Sequence, residues 1–515
     1  MISKNFIFWS IWIVSTLAIG GYLSAVMVFK GDRSHFLIGE TTVGHHQIEL
    51  ACNACHSKGF SDVSSIQKSC ENCHAAELKI SDDSHPLKKF RDPRNADRLA
   101  KLDVTKCVTC HTEHRPELTQ PMGLTMPKDY CFLCHQDIGK DRPETHQNLE
   151  FTSCASAGCH NYHDNRALYE RFLERHATEP DMKPNPFVLN HDAEPLAEEY
   201  GGLKRGDALS MAAADAPGSI FSNMSGDAKE AVLTEWRQDA HARNGVNCSG
   251  CHQPGKVERA DGAAIKPSWI DKPGRAVCAS CHVQENKGFL AGKHGMRQQE
   301  GLLVSEGKAP AFLKSLGLFK KQELTPMRPE LARSPMKTNA HGRELSCTSC
   351  HGRGALASGK VGDTVNRNSQ TGKVAGLHNF DVQPANVQAC VSCHDSEHTK
   401  TYLGSPHHEL WVKELKGELP KGSGVTCATC HMPRVTVEDE YENFITIVAH
   451  NQNDNLRPNE KMIRSVCSSC HGLRFTIDAL ADEKLVRKNF RGKPQTHIES
   501  IDWVLRRSSK KGDEK

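Results

Sequence analysis

Cys390-Val391-Ser392-Cys393-His394 decides how this chain folds. Two cysteines three apart, with a histidine directly behind them, form the covalent attachment signature of a c-type haem. The thiols carry the thioether bonds, and the adjacent imidazole is placed to ligate the iron from one face. Just downstream come Glu397-His398 and then His407-His408, so three more imidazoles lie within fourteen residues of His394. Whether those side chains close an iron or stand over an open one separates an electron carrier from an enzyme.

Moving outward, the same signature recurs through the chain. Ten Cys-x-x-Cys-His motifs pair Cys52 with Cys55, Cys70 with Cys73, Cys107 with Cys110, Cys131 with Cys134, Cys248 with Cys251, Cys278 with Cys281, Cys347 with Cys350, Cys390 with Cys393, Cys427 with Cys430 and Cys467 with Cys470. An eleventh has a longer gap, Cys154-Ala155-Ser156-Ala157-Gly158-Cys159-His160. The motif histidines are His56, His74, His111, His135, His160, His252, His282, His351, His394, His431 and His471. All 22 cysteines are used, and none is left for a disulfide. Zinc ribbons and disulfide frameworks also use repeated cysteine pairs. Neither demands a histidine behind every pair, so the pattern predicts eleven covalently attached haems c and excludes both.

Composition agrees. Hydrophobic residues make up 37% and aromatic residues 6% of 515 residues, too few for an ordinary core of this size, so porphyrin is expected to supply much of the buried apolar surface. A formal charge of +3 gives no case for a nucleic-acid partner. The chain has 29 histidines, which leaves 18 beyond the motifs for eleven distal positions. The distal candidates are His45, His46, His85, His114, His146, His163, His241, His294, His341, His378, His407, His408 and His450.

Residues 6–29 form an uncharged run of 24 residues. That is long enough to cross a bilayer, and longer than a signal-peptide core of roughly 7–15 residues. Leu23-Ser24-Ala25 is a poor cleavage site, so residues 1–30 are expected to remain as a membrane anchor. Haem is attached to such motifs outside the cytoplasmic membrane, which places the haem domains in a bacterial periplasm behind this single N-terminal helix.

The expected fold is mainly α with many loops, a multihaem cytochrome c of two haem-packed domains behind one transmembrane helix. Residues 31–176 form a five-haem module, loop-rich and with no long helical pattern. Residues 177–235 form a linker whose Pro, Gly and acidic content shows no sustained period. Residues 236–472 carry six motifs, and residues 473–515 carry C-terminal helices. Within these, short helices are expected over 164–176 and 227–241, and further helices over 300–319, 475–489 and 498–507. Six glycines within 352–376 mark a surface insertion.

Two resemblances follow from these motifs. The dense spacing in residues 31–165, with one four-residue gap, loosely resembles the cytochrome c3-type tetrahaem modules. The second half resembles the octahaem hydroxylamine oxidoreductase family. The likeness rests on Leu377-His378-Asn379-Phe380, on Glu397-His398 with Tyr402 and Ser405-Pro406-His407, on 424–434 followed by His450, and on 462–480. It implies that the iron on Cys278, Cys281 and His282 is a substrate site, with Glu397-His398 as the acidic-His pair above it. The family's oxidising members use a cross-linked tyrosine beyond the last motif, and no tyrosine follows Tyr441 here. Hydroxylamine oxidation is therefore not expected.

The expected role is that of an electron conduit between the quinone pool or a quinol-oxidising membrane complex and other cytochromes or periplasmic acceptors. The alternative is a reductase of nitrite, hydroxylamine or a sulfur oxyanion at a five-coordinate haem, with His398 as acid and Glu397 orienting it. Self-association into a homo-oligomer is a further expectation, by analogy with the relatives.

Overall fold

In a computed structural model, residues 4–25, 34–57, 62–80, 85–120, 123–147, 150–154, 162–163, 170–186, 226–227, 248–252, 257–258, 264–265, 273–299, 345–351, 387–391, 393–420, 422–438, 444–452 and 461–513 are described, with single positions 230, 233, 241, 246, 270 and 302. Expectations over 187–225, 300–319 and 352–376, most of 227–241, and those on Cys159, His160, His341 and His378 lie outside these residues.

The uncharged N-terminal run forms one helix, Lys4–Ala25. Its 22 residues span roughly 33 Å at about 1.5 Å each, enough for a hydrocarbon layer of about 30 Å. Residues Asn5–Leu23 have a mean hydropathy of 1.7, and the rest of the chain buries none of them. The chain otherwise divides into two compact units. One comprises Met1–Arg175, Lys293–Arg333 and Glu499–Lys515, and the other His176–Gly292 and Ser334–Ile498.

The fold is mostly helical with little sheet, and most helices are short. In the first unit, single turns such as Cys52–Cys55 and Cys107–Cys110 alternate with loops. One element departs from the expected absence of long helices: Val63–Ile80 runs for 18 residues and carries the whole Cys70 motif. It has no Gly or Pro, and Ala75, Ala76, Glu77 and Leu78 are good helix formers. Asp62 caps it, accepting from the Ser65 N–H at 3.1 Å. The motif spacing drew attention away from this propensity.

The second unit holds a hairpin that the sequence reading did not foresee. Strand Arg434–Glu438 pairs antiparallel with strand Phe444–Val448, with Arg434 opposite Val448. Both strands are rich in β-branched residues, Val435 to Val437 in one and Ile445 to Val448 in the other, which suits a pleated ribbon. The expected helix over 475–489 is in fact two, Leu473–Ala481 and Glu483–Arg487. Asp482 breaks it, because its carboxylate accepts from the Leu485 N–H at 3.0 Å and from the Gln495 N–H at 2.8 Å. An N-cap needs extended backbone, so the helix restarts there. Leu473, Ile477 and Leu480 recur at helical spacing and are buried, with Ile463 from the neighbouring helix Lys461–Ser465. The last helix is Ser500–Asp513, longer than the expected 498–507. Of the helix expected over 164–176, the described part is Glu170–His176.

Candidate metal centres

The attachment motif has one local structure wherever it is described. The two cysteines sit one helical turn apart, which puts both sulfurs on the same side. The N–H of the following histidine then bonds back to the first cysteine's carbonyl, at 2.7 Å for His56, 2.9 Å for His111, His282 and His394, 3.0 Å for His135 and 2.8 Å for His471. None of the described cysteines is in a disulfide.

The motif histidines do not stand alone. His74 faces His45 with ring centres 6.0 Å apart, His135 faces His85 at 6.0 Å, and His111 faces His163 at 6.4 Å. In the second unit His282 faces His241 at 6.0 Å, His351 faces His450 at 6.2 Å, His431 faces His398 at 6.0 Å and His471 faces His407 at 6.3 Å. An imidazole nitrogen sits about 2 Å from a metal and its ring centre roughly 1 Å further, so two rings on opposite sides of one ion lie about 6 Å apart. All seven spacings match that geometry.

Tautomers match as well. A carbonyl oxygen only accepts, so a ring nitrogen bonded to one must carry the proton. Nδ1 donates to the Tyr162 carbonyl from His85 (2.8 Å), to Gly123 from His111 (3.1 Å), to Val486 from His398 (2.5 Å), to Val448 from His450 (2.9 Å) and to Asp181 from His471 (3.1 Å). Each bond leaves Nε2 with its lone pair, the state an iron ligand needs. His252, in the Cys248 motif, donates in the same way to the Ile270 carbonyl at 2.6 Å. Burial pushes the pKa of His111, His351 and His394 down. Burial, helped by the neighbouring His471, takes His407 down to about 4. These rings are held neutral, as ligation requires.

The first pair is built differently. His45 Nδ1 donates to Glu113 Oε1 at 2.6 Å and His74 Nδ1 to Glu77 Oε2 at 3.1 Å. The Thr42 N–H reaches Glu113 Oε2 at 2.7 Å and its hydroxyl reaches Oε1 at 2.8 Å. Burial works against ionisation of Glu113, but His45 and Thr42 outweigh it and bring its pKa down to about 2. The Glu77 hydrogen bond raises the pKa of His74 against burial. The sequence reading missed both carboxylates. Glu77 had a signal, since it lies three residues beyond His74 on a helix; Glu113 had none, being 68 residues from His45.

Other candidates fall elsewhere. His46 turns its Nε2 to the Thr41 carbonyl at 2.9 Å. His408 packs edge-on to Tyr402 at 5.2 Å and takes a hydrogen bond from the Gly404 N–H at 3.3 Å. His114, with φ at 63°, donates to the Gly39 carbonyl at 2.8 Å, an approach so close that a Cβ on Gly39 would lie 2.6 Å from the His114 oxygen. His146 ends the short helix Pro143–His146, and His294 lies in a turn after helix Val283–Ala291. Glu397 opens helix Glu397–Tyr402, capped by Ser396, and His398 follows it. His398 Nε2 accepts from the Asn489 amide at 3.2 Å, and its ring faces His431 while His282 faces His241. Residues 181–183, within the stretch expected as a linker, strap the last motif: Met182 bridges His471, and the Lys183 N–H bonds the Cys470 carbonyl at 2.8 Å.

Motif-bearing helices also pack in sequence order. In the first unit Cys52–Cys55 packs on Val63–Ile80, which packs on Cys107–Cys110. In the second, Cys347–His351 packs on Val387–Val391, which packs on Cys427–His431. Cysteine side chains of successive motifs also approach one another, Cys70 near Cys107, Cys131 near Cys154, Cys278 near Cys347 and Cys390 near Cys427.

Residues 44–136 match the cytochrome c3 family. The match takes in the complete motifs at Cys52, Cys70, Cys107 and Cys131, narrower than the expected 31–165. No curated protein and no solved structure matches the chain. The matched segment is a cytochrome c3-like multihaem domain, which implies covalently bound haem c and electron transfer by a c-type cytochrome.

Proposed function

We propose that this chain is an eleven-haem electron conduit, anchored to the cytoplasmic membrane by Lys4–Ala25 with its haem domains in the periplasm. The observation that carries this reading is the set of facing imidazole pairs, 6.0 to 6.4 Å apart. Each motif would hold one haem through its two cysteines and its histidine, and in the seven described pairs the facing histidine would take the other side. Haem bound there supplies a one-electron centre whose potential follows its ligands and surroundings.

The chain's own residues do the rest. At the seven described pairs, two facing imidazoles would leave no axial position for a substrate. Carbonyls on Nδ1 fix the ring orientation and the tautomer. Serial packing of the motif helices keeps successive attachment points adjacent within each unit, which suits short transfer steps. Quinol-oxidising membrane complexes and other cytochromes are the fitting redox partners.

The reductase reading needs His398 above the iron of His282. His398 instead faces His431, and His241 occupies the place opposite His282, so the arrangement favours His398 as a ligand. An electron paramagnetic resonance spectrum of the oxidised full-length protein tests this. Low-spin bis-histidine signals alone support the conduit. A high-spin ferric signal that shifts on adding nitrite or hydroxylamine would restore the reductase.

A further inference from the structure

One of the seven facing pairs has a feature that the other six lack. In five of them one ring has its Nδ1 on a neutral backbone carbonyl, through His85, His111, His398, His450 or His471. In the sixth, His282 Nδ1 stands 4.0 Å from the Glu285 carboxylate, beyond hydrogen-bond distance. Only between His45 and His74 do both rings donate Nδ1 to a carboxylate, at 2.6 Å to Glu113 and 3.1 Å to Glu77.

A carboxylate on the outer nitrogen draws the Nδ1 proton toward itself and makes the imidazole a more basic donor. A more basic axial ligand stabilises the ferric state over the ferrous state and moves the potential negative. The carboxylate's own charge acts in the same direction. Glu113 is the stronger of the two, because its bond is shorter and the side chains of His45 and Glu113 are 32% and 27% exposed, against 48% and 36% for His74 and Glu77. Less solvent means less screening. Glu113 is also fixed in place by two bonds from Thr42.

We propose that the haem on Cys70, Cys73 and His74 has the most negative potential of the seven described sites, and that Glu113, acting through His45, is the positioning residue that sets it. The inference rests on the proposed pairing of His45 with His74. Such a site is the last of the seven to accept an electron, so electrons reach it only from a strong donor.

Equilibrium redox titration of the full-length haem-loaded protein, followed by electron paramagnetic resonance, provides the test. Glu113→Gln keeps an acceptor for Nδ1 but removes the charge. The most negative low-spin signal should move positive, with the ferrous-to-ferric ratio at its former midpoint rising about tenfold, which is 59 mV for one electron. Glu77→Gln, on a half-exposed helix face, should move the same signal by less, and Glu113→Asp should restore part of the shift. His45→Ala separates the two claims. If it leaves every haem low-spin, the pairing fails and the inference falls with it. If it turns one haem high-spin while Glu113→Gln moves no potential, or moves a different signal from Glu77→Gln, the pairing stands and the role of Glu113 is overturned.

Discussion

At the scale of single residues, the second ring nitrogen of each histidine carries the information. In the proposed pairing Nε2 would go to the iron, so what Nδ1 touches would fix orientation, tautomer and basicity. His398 shows how this decides between functions. Its Nδ1 is held by the Val486 carbonyl, and its ring stands 6.0 Å from His431. His398→Ala should therefore convert one low-spin haem, that of Cys427 and Cys430, to a high-spin form that binds small ligands. Electronic absorption before and after adding cyanide or imidazole reads the change. Glu397→Gln should leave the spectrum and the electron-transfer rate within error of wild type, because Glu397 is exposed at the start of its helix. An unchanged His398→Ala spectrum would remove His398 from the ligand set. The motif histidines were legible in the sequence from spacing alone. Their partners were legible only as a pool, because His45 and His46, or His407 and His408, differ by one position and only the folded backbone decides which faces inward.

At the scale of elements, short helices are held by their caps more than by their length, since a few turns are marginal on their own. Helix Pro406–Leu415 carries His407, and Ser405 caps it by accepting from the His408 N–H at 3.2 Å while fully buried. Ser405→Ala should cost about 1 kcal/mol, and Ser405→Gly only a few tenths. The midpoint of denaturant unfolding should fall in that order; equal effects of the two changes would mean that the cap does not matter. Gly472, directly after the last motif histidine, is a second such point. A Cβ there would run into the backbone oxygens of Pro180 and Glu179, which belong to the strap over His471. Gly472→Ala should destabilise by roughly 1–3 kcal/mol, as overpacking against backbone does. The strap was not legible, because residues 179–183 sit about 290 positions from His471 and their composition reads as linker. The 434–448 hairpin was hidden for a related reason: its first strand follows closely on a haem motif, whose cysteines dominate the local pattern.

At the scale of the whole molecule, two features bear on where and how the protein works. One is a long apolar helix that the rest of the chain leaves uncovered. The other is a series of attachment motifs whose helices pack in chain order within each unit. In the proposed function the first would set a location and the second an order of transfer along the chain, and they can be separated by deletion. Removing residues 1–30 and supplying a cleavable export signal leaves every cysteine in place. The shortened protein should leave the membrane fraction and appear in the soluble periplasmic extract. Its mass should still show eleven haem additions, and its reductive titration should retain all low-spin signals. Electron transfer from a strong soluble donor should be unaffected, whereas reduction by quinol in intact membranes should fall sharply, because the donor complex and the first unit are no longer held at one surface. If the shortened protein stays with the membrane, the helix is not its main anchor. If it is released but quinol still reduces it at the full rate, anchoring and electron entry are independent, and the partner reaches the haem units through solution.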